Sequence, residues 1–191
     1  MIHRHPSRSG SPLGRMLSLI QAPNNTSLRF LITDCPTEST LTYYLEEFKR
    51  YNVTHIVRCC QPTYATPRLN QAGIQVHDIP FKDGGVPPPQ VVLAWLNIIA
   101  QVREGTIAVH CVAGLGRAPV LVTMALIELG MPALDAIEYI REKRRGALNK
   151  PQIAYLDAYK PTLFIKKRPS NLIGKMLSFS YNRKKAVVST Q

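Results

Sequence analysis

The sequence lacks any hydrophobic run of transmembrane length, and its four cysteines do not follow the spacing of a disulfide framework. The missing run predicts a soluble or peripheral protein. The N-terminal segment is basic but has no sustained apolar stretch, so we do not expect a secretory signal. The cysteine usage argues against a secreted disulfide scaffold and favours a reducing compartment, with reactive rather than structural thiols.

Acidic residues are scarce, because 12 Asp and Glu face 24 Lys and Arg, for a net charge of +12. Such a balance favours acidic partners: phosphates, anionic lipids or an acidic protein surface. Nucleic acid is the default alternative. The sequence shows no zinc-ligand spacing and no aromatic-rich basic sheet pattern, so nucleic-acid binding is not predicted. No metal site and no cofactor are predicted either.

A glycine-rich segment at residues 110–117 carries the strongest chemical signal. It places Cys111 and Arg117 around two glycines, after an apolar run at 106–109 and before a helix-forming stretch at 119–129. A strand, a tight loop and a helix N-terminus in this order aim backbone N–H groups and partial positive charge at one point. Arg117 adds a bidentate fork for two oxyanion oxygens.

This positive field is expected to lower the pKa of Cys111 and yield a thiolate nucleophile. The weaker alternative is a buried core cysteine with a surface arginine nearby. We therefore predict a phosphate cradle with Cys111 at its floor. Its phosphate-binding residues would be Val112, Ala113, Gly114, Leu115, Gly116 and Arg117.

Alternating strand and helix patterns predict an α/β domain with a central, mostly parallel sheet flanked by helices. Strands are expected at 28–33, 53–58, 74–79 and 106–109, and helices at 41–51, 90–102, 119–129, 133–144 and 152–159. Ligands should then bind beyond the carboxyl ends of the strands, where the Cys111 loop lies.

The predicted domain organisation has three parts. Residues 1–26 lack periodicity and are expected to form a disordered extension, and residues 27–163 form the catalytic domain. Residues 164–191 form a basic tail, in which lysines and arginines alternate with apolar residues and no acidic residue occurs. Binding to an anionic membrane surface and a solvated, disordered tail are equally supported alternatives.

The sequence resembles the protein tyrosine phosphatase superfamily, dual-specificity branch, and within it the phosphatases of regenerating liver. The resemblance extends from about residue 28 to 161, and it implies the cysteine-phosphatase fold. It rests on the run from Cys111 to Val122, on Arg29-Phe30-Leu31-Ile32-Thr33, Ile56-Val57-Arg58, Pro80-Phe81 with Asp83-Gly84, and Lys143-Arg144-Arg145-Gly146-Ala147.

A phosphatase of this class needs a general acid, and Asp83 matches the family's acid by position. The alternatives are that Asp83 merely opens a turn, or that the less favourably placed Asp78 takes the role. His110 is expected to orient the loop rather than act as a base. Ala118 stands where the wider superfamily has Ser or Thr, an alanine that the regenerating-liver family shares, and it implies slow turnover through a long-lived cysteinyl-phosphate.

The resemblance also implies a redox role, because Cys60 matches the family cysteine that forms a disulfide with the nucleophile Cys111. For Cys59 and Cys35 a core role is favoured. Tyr64 matches a residue of the active-site rim, and Gln152 is a weaker match to a water-positioning glutamine.

The sequence departs from the family pattern at three places. Lys82 replaces an acidic residue, and Ile79 replaces a tryptophan ahead of Pro80. Family members carry a prenylated cysteine four residues from the end, whereas this sequence ends Val188-Ser189-Thr190-Gln191, so no prenylation is expected.

Two functions remain open. The first is a phosphoric monoester hydrolase acting on phosphotyrosine, phosphoserine, phosphothreonine or a phosphoinositide. The second is a binding module for CBS-domain magnesium transporters, regulating magnesium transport, with a partner carboxylate lying in the phosphate cradle. The expected location is cytoplasmic, peripheral at the inner face of the plasma membrane if the tail binds lipid. The oligomeric state, a homo-oligomer included, is left open.

Overall fold

The computed structural model describes residues 13–14, 16–23, 27–102 and 104–162. Its centre is a five-stranded sheet of order β1-β2-β5-β3-β4, in which only β1 is antiparallel to its neighbour. The predicted mostly parallel sheet is therefore confirmed. The strands are β1 Ser18–Gln21, β2 Leu28–Thr33, β3 Val53–Arg58, β4 Gln75–Asp78 and β5 Gly105–His110.

Helices cover both faces of this sheet. They are α1 Leu41–Arg50, α2 Pro67–Gln71, α3 Pro89–Gln101, α4 Arg117–Glu128, α5 Ala133–Lys143 and α6 Lys150–Asp157. Side chains along a strand alternate between the two faces of the sheet, as the two-residue period of a strand requires. Phe30 and Ile32 join the core that includes α3 to α6, whereas Leu31 joins the core that includes α1 and α2.

The unit that positions the site is β5, the loop after it, and α4. All six residues of β5 and all twelve of α4 are buried, so both elements lie in the middle of the domain. A helix that is apolar around most of its circumference is typical of such a central position. The loop at residues 111–116 is thereby held at both ends by the core.

Two elements were not predicted. The strand β1 falls in the segment 1–26, for which the sequence indicated no regular structure, and Ser18 pairs with Ile32 of β2. The short helix α2 has no clear apolar period. The remaining elements lie within two residues of their predicted bounds.

Residues 1–12, 15 and 24–26 of the predicted extension, and the whole predicted basic tail, lie outside the described residues. Among the residues that are described, no helix is both long and apolar enough to span a bilayer.

Candidate active site

Outward-facing carbonyl groups define the loop at residues 111–116. The Arg144 guanidinium, at the end of α5, donates from Nε to the Gly114 oxygen (2.6 Å) and from Nη2 to the Ala113 oxygen (3.2 Å). The same side chain donates from Nη1 to the Met16 oxygen (2.9 Å), just ahead of β1. One buried arginine thus fixes two loop carbonyls from behind.

Backbone amides hold the two flanking carbonyls in the same way. The Cys35 N–H donates to the Val112 oxygen (2.9 Å), and the Leu148 N–H donates to the Leu115 oxygen (2.8 Å). Four consecutive carbonyls are therefore occupied on the outer side of the loop. In a planar trans peptide the N–H of the following residue points opposite to the carbonyl, so the N–H groups of residues 113–116 are directed to the inner side, as a phosphate cradle requires.

Gly114 is required at its position for two reasons. Its φ of +66° lies in the left-handed region, and a Cβ atom there would clash with the Thr33 carbonyl oxygen and the Arg144 guanidinium. The loop packs directly on the end of β2, so only a residue without a side chain fits.

Cys111 lies at the floor of this cradle with 2% of its surface exposed. The preceding His110 is buried, and its Nδ1 lies 3.2 Å from the Cys111 carbonyl oxygen while its Nε2 lies 2.7 Å from the Tyr64 hydroxyl. A carbonyl oxygen only accepts hydrogen bonds, so Nδ1–H donates to it, and the second ring nitrogen contacts the Tyr64 hydroxyl. The expected orienting role of His110 fits these contacts.

Further hydrogen bonds extend this support to β3 and β4. Arg58 donates to the Tyr64 carbonyl oxygen (2.8 Å) and lies over its ring. The Nη2 of Arg58 donates to Asp78 (2.7 Å), and this hydrogen bond raises the pKa of Arg58. Both carboxylate oxygens of Asp78 are held by Arg58, through Nε (2.5 Å) as well as Nη2, and this bidentate pairing argues against Asp78 as the general acid.

Arg117 is the first residue of α4, and its side chain is almost fully buried. Its Nη1 donates to the carbonyl oxygens of Cys59 and Phe81 (both 3.2 Å), and its Nη2 lies 3.1 Å from an Asp83 carboxylate oxygen. Its Nε has no hydrogen-bond partner in the described part of the chain. Nε and Nη2 form one edge of the guanidinium, the edge that takes two oxygens of an oxyanion.

Asp83 extends from the segment between β4 and α3, and 81% of its side chain is exposed. The structure therefore brings the predicted acid to the predicted arginine, because both are held at the mouth of the cradle. An exposed carboxyl that is held by a single ion pair among the described residues is able to turn toward a leaving group.

The N-cap residue of α6, Asn149, and Gln152 in its first turn support this acid-bearing segment. Asn149 and Gln152 form a capping box at the start of the helix, and their side-chain amides donate to Gly84 and Gly85 (both 2.9 Å). A Cβ on Gly116 would lie 3.3 Å from the Gln152 amide nitrogen. Gln152 therefore lies between the cradle and the acid-bearing segment, where its predicted water-positioning role remains a prediction.

The rim of the cradle is open. Val112 is 60% exposed and Leu115 is 40% exposed, so the loop offers few side-chain contacts to the rest of a substrate. At the other end of the loop Ala118 is fully buried and contributes no hydroxyl.

The four cysteines are all reduced in the structure. Cys59 is buried, and burial raises the pKa of its thiol, so its predicted core role is confirmed. Cys35 differs from that prediction because it is partly exposed and its sulfur lies 3.8 Å from the Cys60 sulfur. Cys35, Cys60 and His110 are also the residues, among those described, whose ligand atoms lie close enough together to hold a metal ion.

Sequence reasoning missed the roles of Arg144 and Asn149. Arg144 lies in the basic run at residues 143–145, and such a run is typical of a solvent-exposed helix end. Only the observed burial separates Arg144 from the exposed Lys143 and Arg145. The capping box of Asn149 was readable from its spacing to Gln152.

Comparison with known proteins gives a consistent result. The family described as "Polymorphic toxin system, DSP-PTPase phosphatase" matches residues 34–131. The probable protein tyrosine phosphatase type IVA A of Dictyostelium discoideum is 53% identical over 154 residues, covering 78% of this chain and 91% of that protein. The human protein tyrosine phosphatase type IVA 3 is 51% identical over 138 residues, covering 70% and 80%.

Solved structures agree with these relatives. A protein tyrosine phosphatase from Leishmania major superposes with a TM-score of 0.68 at 42% identity, covering 75% of this chain and 98% of that one. The kinase associated phosphatase superposes with a TM-score of 0.59 at 22% identity, covering 73% and 90%. The second likeness shows the fold alone.

Proposed function

The chain belongs to the type IVA protein tyrosine phosphatases, which makes it a cysteine-dependent phosphatase, and we propose that it works slowly through a cysteinyl-phosphate on Cys111. The observation that carries this proposal is the position of Cys111 under a loop whose carbonyls are bonded outward, with Arg117 at its edge. Such a cradle stabilises the charge of a phosphoryl group before any substrate arrives.

In the first step the Cys111 thiolate attacks phosphorus in line with the leaving oxygen. The loop N–H groups and the Nε and Nη2 edge of Arg117 hold the equatorial oxygens. Asp83 gives its proton to the leaving oxygen, which departs as a neutral alcohol or phenol. The contact of Asp83 with Arg117 supports this role, because it places the carboxyl at the mouth of the cradle before the substrate's oxygens replace it on Nη2.

In the second step a water attacks phosphorus and the Cys111 thiolate leaves. In this step a hydroxyl at position 118 would donate to the departing sulfur, and Ala118 has none. A hydrogen bond to a charged group contributes about 1.5–3 kcal/mol, so its loss slows this step about ten- to hundredfold. We infer that breakdown of the cysteinyl-phosphate limits turnover.

We propose phosphotyrosine in an acidic protein segment as the primary substrate. The names of the relatives support the tyrosine, and the open rim and the exposed Lys82 beside Asp83 support acidic surroundings. Phosphoserine, phosphothreonine and phosphoinositides are accessible to the same shallow cradle. An assay with matched phosphopeptides and phosphoinositide vesicles separates these classes.

A second, binding function is favoured by one contact. Arg117 already holds a carboxylate, that of Asp83, at the mouth of the cradle. The carboxylate of a partner can be bound by the same donors. We therefore also propose a CBS-domain magnesium transporter as a partner, on the basis of the resemblance. Slow turnover of the phosphatase is compatible with this role, because it does not weaken the binding of a carboxylate in the cradle.

The net charge of +12 supports a proposed location at the inner face of the plasma membrane, since each basic residue near an anionic leaflet contributes about 1 kcal/mol. The proposal predicts sedimentation with vesicles that contain phosphatidylserine and release at high salt.

A disulfide between Cys60 and Cys111 is proposed on the resemblance, supported by the position of both residues just after the ends of the neighbouring strands β3 and β5.

The decisive experiment traps the intermediate. Brief incubation with an aryl phosphate, followed by acid quench and peptide mass analysis, should place a phosphoryl group on the peptide that contains Cys111. Its decay should match the steady-state turnover rate. A Cys111→Ala variant is the control, and unmodified Cys111 with ongoing turnover would contradict the mechanism.

A further inference from the structure

A pair of sulfur atoms lies beside the cradle, outside the phosphoryl-transfer machinery. Cys35 follows β2 and Cys60 follows β3, and their Sγ atoms are 3.8 Å apart. The Cys35 Sγ also lies 3.0 Å from the Thr63 hydroxyl. A disulfide needs an S–S distance of about 2.05 Å, so the two sulfur atoms have to approach each other by less than about 2 Å.

The two thiols differ in access to solvent. Cys35 is partly exposed, whereas Cys60 is 4% exposed and the nucleophile Cys111 is 2% exposed. An oxidant from solution therefore meets Cys35 first.

The two thiols also differ in acidity. The hydrogen bond from the Cys60 thiol lowers the pKa of Cys35, and the same hydrogen bond raises the pKa of Cys60. One thiolate and one thiol in contact are the two species that oxidation to a disulfide requires.

We propose that Cys35 and Cys60 form a reversible disulfide when the protein meets a hydroperoxide, and that this bridge forms before Cys111 is oxidised. The Cys35 thiolate attacks the peroxide oxygen, breaks the O–O bond and becomes a sulfenic acid, and the alkoxide or hydroxide that leaves takes a proton from solvent. The Cys60 sulfur then attacks the Cys35 sulfur, and hydroxide leaves with the Cys60 proton as water. The peroxide gains the two electrons that the two sulfurs lose, and a dithiol reverses the change.

The bridge would leave the cradle in place. Cys35 holds the Val112 carbonyl through its backbone N–H, and the Cys59 N–H holds the His110 carbonyl, so neither contact depends on a sulfur. The Cys35–Cys60 disulfide would also make Cys60 unavailable to Cys111, its proposed partner in an inactivating disulfide. This consequence rests on the proposed redox role of Cys60, whereas formation of the Cys35–Cys60 bridge does not.

The alternative is that Cys35, Cys60 and His110 bind a metal ion. It is disfavoured because both nitrogens of His110 already have partners, Tyr64 at 2.7 Å and the Cys111 carbonyl at 3.2 Å. Binding a metal through His110 would break a contact that supports the cradle.

The test oxidises the full chain with a slight molar excess of hydrogen peroxide, blocks free thiols, and maps disulfides by mass spectrometry under non-reducing conditions. The expected product is a Cys35–Cys60 bridge while Cys111 remains open to alkylation. In Cys35→Ser, loss of alkylatable Cys111 should be at least threefold faster, and dithiothreitol should remove the bridge from the wild-type chain. Cys59→Ser is the matched control and should behave like the wild-type chain.

Three results would overturn the proposal. One is a Cys60–Cys111 bridge in the wild-type chain with Cys35 free. Another is an equal rate of Cys111 loss in wild type and Cys35→Ser. The third is stoichiometric zinc in the isolated protein that blocks oxidation until a chelator removes it. Failure of phosphatase activity in every form, with the Cys35–Cys60 bridge present, would instead contradict the proposed function and leave the bridge intact.

Discussion

The nucleophile loop at residues 111–116 and the acid-bearing segment around Asp83 are built in opposite ways. The first is buried between two core elements, and its carbonyls are fixed from behind by Arg144 and by backbone amides. The second is exposed, and it is held by Arg117, Asn149 and Gln152 through a few contacts at its edge.

This difference reflects what each group has to do. The nucleophile needs a fixed field of N–H groups, because such a field stabilises the transition state only if it does not reorganise. The acid has to meet leaving groups of different size, so it gains from a segment that adjusts. Arg117 links the two regions, since it lines the cradle and holds the acid before substrate binds.

The largest effect should come from removing the nucleophile. Cys111→Ser should lower kcat/KM for an aryl phosphate by more than about a hundredfold, because a serine hydroxyl in this field stays protonated. Thermal unfolding should change little, since the two side chains are close in size. Retained activity would place the nucleophile elsewhere, and Cys59→Ser is the control for replacing a buried thiol.

The next effect tests the acid-bearing segment. Asp83→Ala should slow the first chemical step by about 10²–10⁴-fold for poor leaving groups and far less for good ones, because only a poor leaving group needs a proton. Single-turnover rates across aryl phosphates of graded leaving-group pKa measure this as a steeper dependence. Asp83→Asn is the control that keeps the shape. Parallel dependences in wild type and variant would mean that Asp83 only shapes the segment.

A third effect tests the nucleophile loop at residues 111–116, the rigid region of the two. Arg144→Met should lower the free energy of unfolding by about 2–6 kcal/mol, because two loop carbonyls, each contributing about 1–3 kcal/mol when left unpaired, lose their donor. It should also reduce kcat more than it raises KM, which separates loop geometry from substrate capture. The exposed Arg145→Met is the matched control, and equal effects of the two variants would contradict the role given to Arg144.

Much of the fold and the site was predictable from the sequence, because the features with short-range causes are visible there. The loop of Cys111 to Arg117 combines strand, glycines and helix start in one run, and Asp83 follows a strand. The missed strand β1 has only four residues, and it forms because β2 offers an edge to pair with. The position of β1 then determines the contacts of Arg144, which donates to the Met16 carbonyl oxygen and lies 3.3 Å from the Ser18 hydroxyl.

The contact between Cys35 and Cys60 was unpredictable for the same physical reason. The two residues are 25 positions apart, and their approach depends on how β2 and β3 flank β5. Register between strands is set by tertiary packing, which spacing along one chain does not reveal.

A smaller effect tests the end of the loop that leads into α4. Ala118→Ser should speed breakdown of the cysteinyl-phosphate by about ten- to hundredfold, because a hydroxyl then donates to the departing sulfur. Single-turnover kinetics separate this step from its formation. Ala125→Ser adds the same hydroxyl to a buried position farther along α4 and should leave the decay rate unchanged.

The smallest effect concerns the support that reaches Cys111 through His110. Tyr64→Phe removes the hydroxyl that lies 2.7 Å from the His110 Nε2. A neutral hydrogen bond contributes about 0.5–1.5 kcal/mol net, so kcat/KM should fall by no more than about tenfold. Because Tyr64 acts on the loop through His110, a fall in kcat at an unchanged KM is the informative readout. The exposed Tyr43→Phe serves as the control, and kinetics equal to wild type in Tyr64→Phe would show that the loop does not depend on this contact.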